Sequence, residues 1–229
     1  MAFLLWTAVT VPPLFGLELS RAETGAGIHP EYSRSLHYSW DIFAFGLVEL
    51  NRVLSFGGGA AAGQIWDQAD LDLYLFTEYA LPFFRTIVPL NLRFTYIYNG
   101  IPGYETRVHT LLPLASLNWR WFGFALGRTF RFTRFAGDPA LYEPITAYSL
   151  HAVMLDTGEA RAELGVANYD DFSSRNLGTF LVTVKSRVRI DPRLSLFNEL
   201  SIDLSGNSGG LTSVHGISIR EGVVIQWGQ

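Results

Sequence analysis

The chain contains no cysteine and a single lysine among its 229 residues. The missing thiols exclude a disulfide scaffold and a thiolate metal site. Charge is scarce: Asp, Glu, Lys and Arg make up 17% of the chain, below the ~25% usual for a soluble globular protein. The 17 basic residues are outnumbered by 21 acidic ones, so no basic domain is present to hold nucleic acid. Long apolar runs are missing too. The longest uncharged stretch, residues 1–17, is broken by Pro12-Pro13, and after Glu18 a charge always intervenes before the ~20 apolar residues of a membrane helix accumulate. HExxH, P-loop, GxSxG and Cys/His motifs are absent as well, and no metal or cofactor is expected. What is present is 48% apolar residues, 14% aromatics and 22 glycines. A chain that is oily on average but has no oily runs has the composition of a transmembrane β-barrel.

Period-2 alternation carries this reading further. Leu194, Leu196, Leu200, Ile202 and Leu204 share one parity, with Asn198 the exception, while Ser195, Phe197, Glu199, Ser201 and Asp203 share the other. Val182, Val184, Val188 and Ile190 alternate with Thr183, Lys185, Arg187 and Arg189. The run Leu90, Leu92, Phe94, Tyr96, Tyr98 alternates with Asn91, Arg93 and Thr95, and Ala160, Ala162, Leu164, Val166 with Arg161, Glu163 and Gly165. Such alternation belongs to strands, not helices. Most of the segments reach the ~10 residues that a tilted strand needs to cross a bilayer.

The pattern predicts an all-β fold, a closed antiparallel up-and-down barrel of about 12 strands. They fall near 16–24, 36–50, 53–64, 70–80, 87–99, 106–119, 122–134, 146–155, 159–169, 177–190, 193–204 and 213–227. The first and third have weak patterns, so ten strands is the alternative. The third contains FGGGAAAG, which suits a tightly curved strand or one packed against an inner plug. Links after even-numbered strands read as short and those after odd-numbered strands as long (GQIWDQA, GIPGYET, AGDPALYEP, DDFSSRN, SGNSGGLT), as in membrane barrels with tight periplasmic turns. Residues 1–16 read as a signal peptide or its remnant, lacking a basic start and a clean cleavage site. Residues 17–229 read as a single barrel domain.

The final strand, Arg220-Glu221-Gly222-Val223-Val224-Ile225-Gln226-Trp227, resembles the C-terminal assembly signal of bacterial outer-membrane barrels: polar, any, Gly, two of any kind, hydrophobic, any, aromatic. Arg220, Gly222, Ile225 and Trp227 fill the fixed places, and Gly228-Gln229 extend beyond them. The resemblance implies bacterial outer-membrane localisation, outer-membrane lipid as surroundings and the barrel-assembly machinery as a partner during biogenesis. Cysteine-free, lysine-poor barrels with weak leaders are also similar to small spirochaete outer-membrane proteins. Trp119, Trp121, Phe122, Phe83, Phe84, Tyr98, Tyr104 and Trp227 suit interfacial aromatic girdles.

Polar faces would line the lumen. The candidate lining residues are Arg93, Arg120, Arg161, Glu163, Lys185, Arg187, Arg189, Arg193, Glu199 and Asp203, with the basic groups toward the short-turn end and the acidic ones, such as Asp67, Asp70, Asp72, Asp138, Glu143, Asp170 and Asp171, toward the loops. They would either staple the wall by cross-strand ion pairs or form a positive ring that favours anions. Arg128 and Glu221 break the alternation; a bulge at neighbouring Gly127 and Gly222 would turn them inward. His37-Tyr38-Ser39 resembles the His-x-Ser element of lipid A deacylase barrels, which implies His37 as base and Ser39 as nucleophile, but Trp40-Asp41 follow in place of that motif's Asn and Gly. The sequence therefore reads as a non-enzymatic outer-membrane barrel, a narrow passive pore for small polar or anionic solutes or a structural surface barrel. The alternatives are an outer-membrane lipid A or phospholipid-modifying enzyme and a soluble lipid-binding β-barrel.

Overall fold

A computed structural model describes residues 19–33, 37–51, 53–81, 90–170, 172–173, 177–204 and 214–227. The twelve strands are β1 (Leu19–Ser33), β2 (His37–Leu50), β3 (Leu54–Ile65), β4 (Gln68–Ala80), β5 (Leu90–Ile101), β6 (Thr106–Asn118), β7 (Phe122–Arg134), β8 (Leu141–Asp156), β9 (Ala160–Ala167), β10 (Leu181–Arg189), β11 (Leu194–Asp203) and β12 (Gly216–Trp227). Each pairs antiparallel with its sequence neighbours, and β1 pairs with β12, so the sheet closes. The even count puts the start of β1 and the end of β12 at the same end of the barrel, beside the β2–β3 turn.

The two faces divide as the alternation requires. Leu71, Leu73, Leu75, Leu92, Phe94, Leu126, Leu164, Val184, Val188, Leu196, Ile217, Ile219, Val223 and Ile225 all stand on the outer surface, exposed. Thr183, Ser195, Ser218 and Arg220 on the same strands are buried inside. A soluble protein would hide the first set. Outward-facing leucine, isoleucine and valine on every side of a closed sheet make sense only in hydrocarbon, where the closed ring also leaves no edge amide unpaired. A 12-residue strand tilted by about 40° spans about 30 Å, the thickness of the hydrocarbon core.

Three sequence expectations need correction. First, β1 runs to Ser33 and β8 begins at Leu141, well beyond the expected ranges. In β1 the inward positions are Glu23, Gly25, Gly27, His29 and Glu31, a composition that looks like loop because the face it covers is polar. Second, the short/long alternation of links is not strict: β3 and β4 are joined only by Trp66 and Asp67, while the expected link Pro82 to Thr86 lies outside the described residues. The loop-like GQIWDQA is mostly strand, with Asp70 buried on the inner wall. Third, no bulge forms at Gly127 or Gly222. Register is unbroken through both, and the irregularities lie between Leu19 and Arg21 and between Val153 and Leu155.

Arg128 therefore stays on the outer wall, exposed. Gly127 has a different reason to be glycine: a Cβ there would lie 2.0 Å from the Pro113 carbonyl oxygen. Pro113 lacks an amide hydrogen, and the β6–β7 ladder skips from Leu111–Phe130 to Leu114–Gly127. Glu221 also stays outside, but it is not alone. It lies opposite Asn198, the other misfit, and accepts a 2.8 Å hydrogen bond from the Asn198 Nδ2. Two errors of pattern on separate strands are one polar pair.

The outer wall gives a direct check, made clean by the absence of native cysteine. In vesicles, a nitroxide at Leu164→Cys or Leu196→Cys should relax with oxygen and be shielded from a water-soluble nickel chelate. Probes at Thr183→Cys and Lys185→Cys should show the reverse. Val184→Arg, at the middle of β10, should lower refolding stability by about 2–4 kcal/mol; an unchanged urea midpoint would place that face away from lipid.

Candidate functional site

The interior is built around a stripe of small residues. The inward positions of β3 are Ser55, Gly57, Gly59, Ala61, Gly63 and Ile65, which leaves room for rings from neighbouring strands. A Cβ on Gly57 would sit 2.4 Å from the Phe76 ring, and one on Gly59 would sit 2.6 Å from Tyr74. The small residues of FGGGAAAG thus make room for rings of the neighbouring wall strand β4. A plug enters the lumen between β9 and β10, where Asn168, Tyr169, Asp170 and Phe172 meet the inner wall.

That segment is anchored at its start. The Asn168 side chain accepts from the Tyr148 amide (2.7 Å) and donates to the Thr146 carbonyl (2.6 Å). Tyr169 packs on Leu112, Leu114 and Ala147, an apolar patch of the inner wall, and its hydroxyl lies 3.1 Å from Ser149 Oγ. Asp170 then meets Arg220 of β12, with Arg220 Nη2 donating to Asp170 Oδ2 at 3.0 Å. Arg220 Nη1 also reaches Glu199 Oε2 at 3.4 Å, and Glu199 pairs with Lys185 at 3.2 Å. Phe172 completes the latch: its ring lies edge-on to Tyr74 at 4.7 Å, and the Arg220 guanidinium stacks on it at 4.5 Å. Burial opposes ionisation of Asp170, but the Arg220 charge and hydrogen bond, the Phe172 amide and the charge of His29 outweigh it and hold its carboxyl below the usual aspartate range. Deeper polar pairs face the same space. His29 Nδ1 lies 2.9 Å from Asp41 Oδ2, and Asn99 Nδ2 donates to Asp72.

A chamber of about 210 Å³ lies beside the latch, lined by residues including Arg93, His151, Glu163, Lys185 and Asp170. A wider vestibule of about 540 Å³ opens at the end where the termini lie. Its lining holds Arg21, Arg161, Arg187, Arg189 and Arg193 against only Asp156 and Glu159.

The residues singled out from sequence distribute as follows. Arg93, Arg161, Glu163, Lys185, Arg187, Glu199 and Asp203 are on the inner face, and Arg189 and Arg193 line the vestibule. Arg93 lies over the Phe76 ring at 4.2 Å, and Arg161 bonds Glu163 at 2.6 Å. Arg187 reaches past β11 and β12 to Glu23 on β1, at 2.8 Å, where Gln226 and Arg21 also donate. Arg120 is not on the lumen wall; it is exposed on the β6–β7 turn, over Trp121. Of the assembly-signal residues, Arg220 and Gly222 point inward and Ile225 and Trp227 outward. Trp227 Nε1 donates to Thr24 Oγ1 across the seam. Ser39 is buried on the inner face, 1% exposed, out of reach of a lipid on the outer wall. The His37 side chain, Arg52, Phe83, Phe84, Arg85, Asp171 and Gly228-Gln229 lie outside the described residues. Asp72, expected among the lumen acids, is buried on the inner wall. The sequence reading does not single out Glu23, His29, Asp41 or Phe172. Parity points to Asp41, since Ser39, Asp41, Phe43 and Phe45 share one face of β2.

No protein-family model and no curated protein matches the sequence. Solved structures do match in fold. The translocator domain of the autotransporter NalP from Neisseria meningitidis aligns over 90% of this chain and 88% of its own, at 12% identity and TM-score 0.59. The NanC porin aligns over 87% and 98%, at 9% identity and TM-score 0.56. The Salmonella typhi outer membrane phospholipase aligns over 96% of both chains, at 9% identity and TM-score 0.46, too distant to bear on activity. The fold is that of bacterial outer-membrane barrels, and the oily belt sets it in a bilayer.

Removing the latch charge should free the plug. Asp170→Asn leaves Arg220 short of a partner, a loss of about 3–5 kcal/mol for a buried pair, and amide hydrogen exchange across residues 168–180 should accelerate while β4 and β12 keep their protection. Because Asp170 is held below its ordinary value of 3.8, the latch should be intact above that pH and loosen as the pH falls through the depressed value. Unchanged exchange in both experiments would show that the ion pair does not hold the segment.

The chain has the fold of bacterial outer-membrane barrels, an apolar outer wall, and an interior into which Tyr169, Asp170 and Phe172 project.

Proposed function

We propose that the barrel is a narrow passive pore for small polar or anionic solutes, entered from the terminal end and restricted by the β9–β10 segment. The observation that carries this reading is the vestibule, where five arginines face two carboxylates. Arg21, Arg161 and Arg187 are drawn into ion pairs; the guanidinium groups of Arg189 and Arg193 have no ion-pair or hydrogen-bond partner among the described residues. A basic mouth concentrates anions and repels cations. The chamber beyond it offers hydrogen-bonding groups from Ser116, Ser149 and His151, which suits small polar solutes. Passage through the rest of the lumen requires Phe172 and Asp170 to move aside. The final strand, through Arg220, Gly222, Ile225 and Trp227, is inferred to be the segment that the assembly machinery reads.

In planar bilayers the protein should give small, discrete conductance steps with a reversal potential favouring chloride over potassium. Asp170→Asn should enlarge the steps or lengthen open times. Arg189→Glu with Arg193→Glu should reduce or invert the anion preference. A silent bilayer for both the native protein and Asp170→Asn would leave a structural barrel in place of a pore.

A further inference from the structure

On the outer wall near the loop end, four aromatic side chains lie side by side across four strands. Tyr98 of β5 is opposite His109 of β6, His109 is opposite Phe132 of β7, and Phe132 is opposite Tyr142 of β8. Their rings meet at 5.2 Å for Tyr98–His109 and 5.1 Å for Phe132–Tyr142, and the Tyr96 hydroxyl lies 2.8 Å from His109 Nδ1. Such a row marks the level of the lipid headgroups. Two residues further toward the loops, still on the outer face, Arg107 of β6 is directly opposite Arg134 of β7. Both are exposed.

Like charges directly opposite each other on neighbouring strands destabilise a sheet. Arg187 and Arg161 are also directly opposite, but carboxylates answer them: Glu23 pairs with Arg187, and Glu163 and Asp156 pair with Arg161. The guanidinium groups of Arg107 and Arg134 have no ion-pair or hydrogen-bond partner among the described residues, although Glu105 is two residues away in sequence. A multivalent anion between the two strands would relieve the repulsion. Two guanidinium groups can share the oxygens of one phosphate, each donating in parallel.

We propose that Arg107 and Arg134 form a binding site for the phosphate of a membrane lipid headgroup in the leaflet at the loop end. The aromatic row would sit beneath the headgroup, and the lipid's acyl chains would run down the outer wall over Leu111 and Phe130, which lie opposite each other just below that row. The height relative to the aromatic row and the pairing of two cations with no carboxylate partner among the described residues favour a lipid over a soluble ligand.

The test uses the full chain folded in maltoside detergent and examined by native mass spectrometry with two added probes, diphosphoryl lipid A and the zwitterionic lipid phosphatidylcholine, with inorganic phosphate as a third arm. The native protein should retain one lipid A in preference to phosphatidylcholine, and R107Q/R134Q should weaken that retention at least tenfold. Inorganic phosphate at millimolar concentration should compete poorly; equal competition would point to a free-anion site and overturn the lipid assignment. R107E supplies the check against misfolding. It should pair with Arg134, raise the melting temperature in lipid-free detergent and abolish lipid A retention. Native-like retention by R107Q/R134Q, or a lower melting temperature for R107E, would overturn the proposal.

Discussion

The seam between β1 and β12 is the contact on which the rest depends. In hydrocarbon an unpaired backbone amide costs several kcal/mol, so a sheet of oily-faced strands is stable there only when its first and last members meet. Ten residue pairs, from Ala22–Trp227 to Ser33–Gly216, join them. The seam has side-chain support on both faces, with Trp227 bonded to Thr24 outside and Gln226 to Glu23 inside. The strand that closes the ring also delivers Arg220 to the middle of the lumen. Closure and interior electrostatics are therefore set by the same twelve residues.

Once the ring is closed, its interior has a filling problem. Twelve strands enclose more space than wall side chains can occupy, and two kinds of residue deal with it. Small residues on β3 let Tyr74 and Phe76 lie flat against the wall, and the β9–β10 segment brings Tyr169, Asp170 and Phe172 into what is left. The buried guanidinium of Arg220 is tolerable only because carboxylates meet it from two directions, Asp170 from the plug and Glu199 from the wall. The plug is thus held by the charge that it neutralises, while the vestibule at the opposite end keeps unneutralised arginines.

The fold was legible wherever one face of a strand sees lipid. β5, β10 and β11 alternate cleanly because leucine, valine and isoleucine must stand outward every second residue. Legibility failed where the inward face is glycine or polar and the outer face is short of large residues. In β1, Glu23, Gly25, Gly27 and Pro30 look like loop, yet they form a 15-residue strand. Links could not be timed from composition, since strand residues facing a wet or polar interior resemble turn residues; Gln68 and Asp70 are the example. The latch was hidden for another reason. Asp170 and Phe172 belong to no strand, so no periodicity announces them, and the terminal pattern gives Arg220 a place in the strand but no partner. Glu221 and Asn198 show that a misfit in one strand is best judged against the misfits of its neighbours.

Closure itself can be observed most directly by NMR of the protein in lipid nanodiscs, through interstrand backbone contacts along the seam. The account predicts contacts at Thr24–Ile225, Ala26–Val223 and Ile28–Glu221, with both edges protected from hydrogen exchange. Free exchange along Ala22–Ile28 with none of those contacts would mean an open sheet and contradict it.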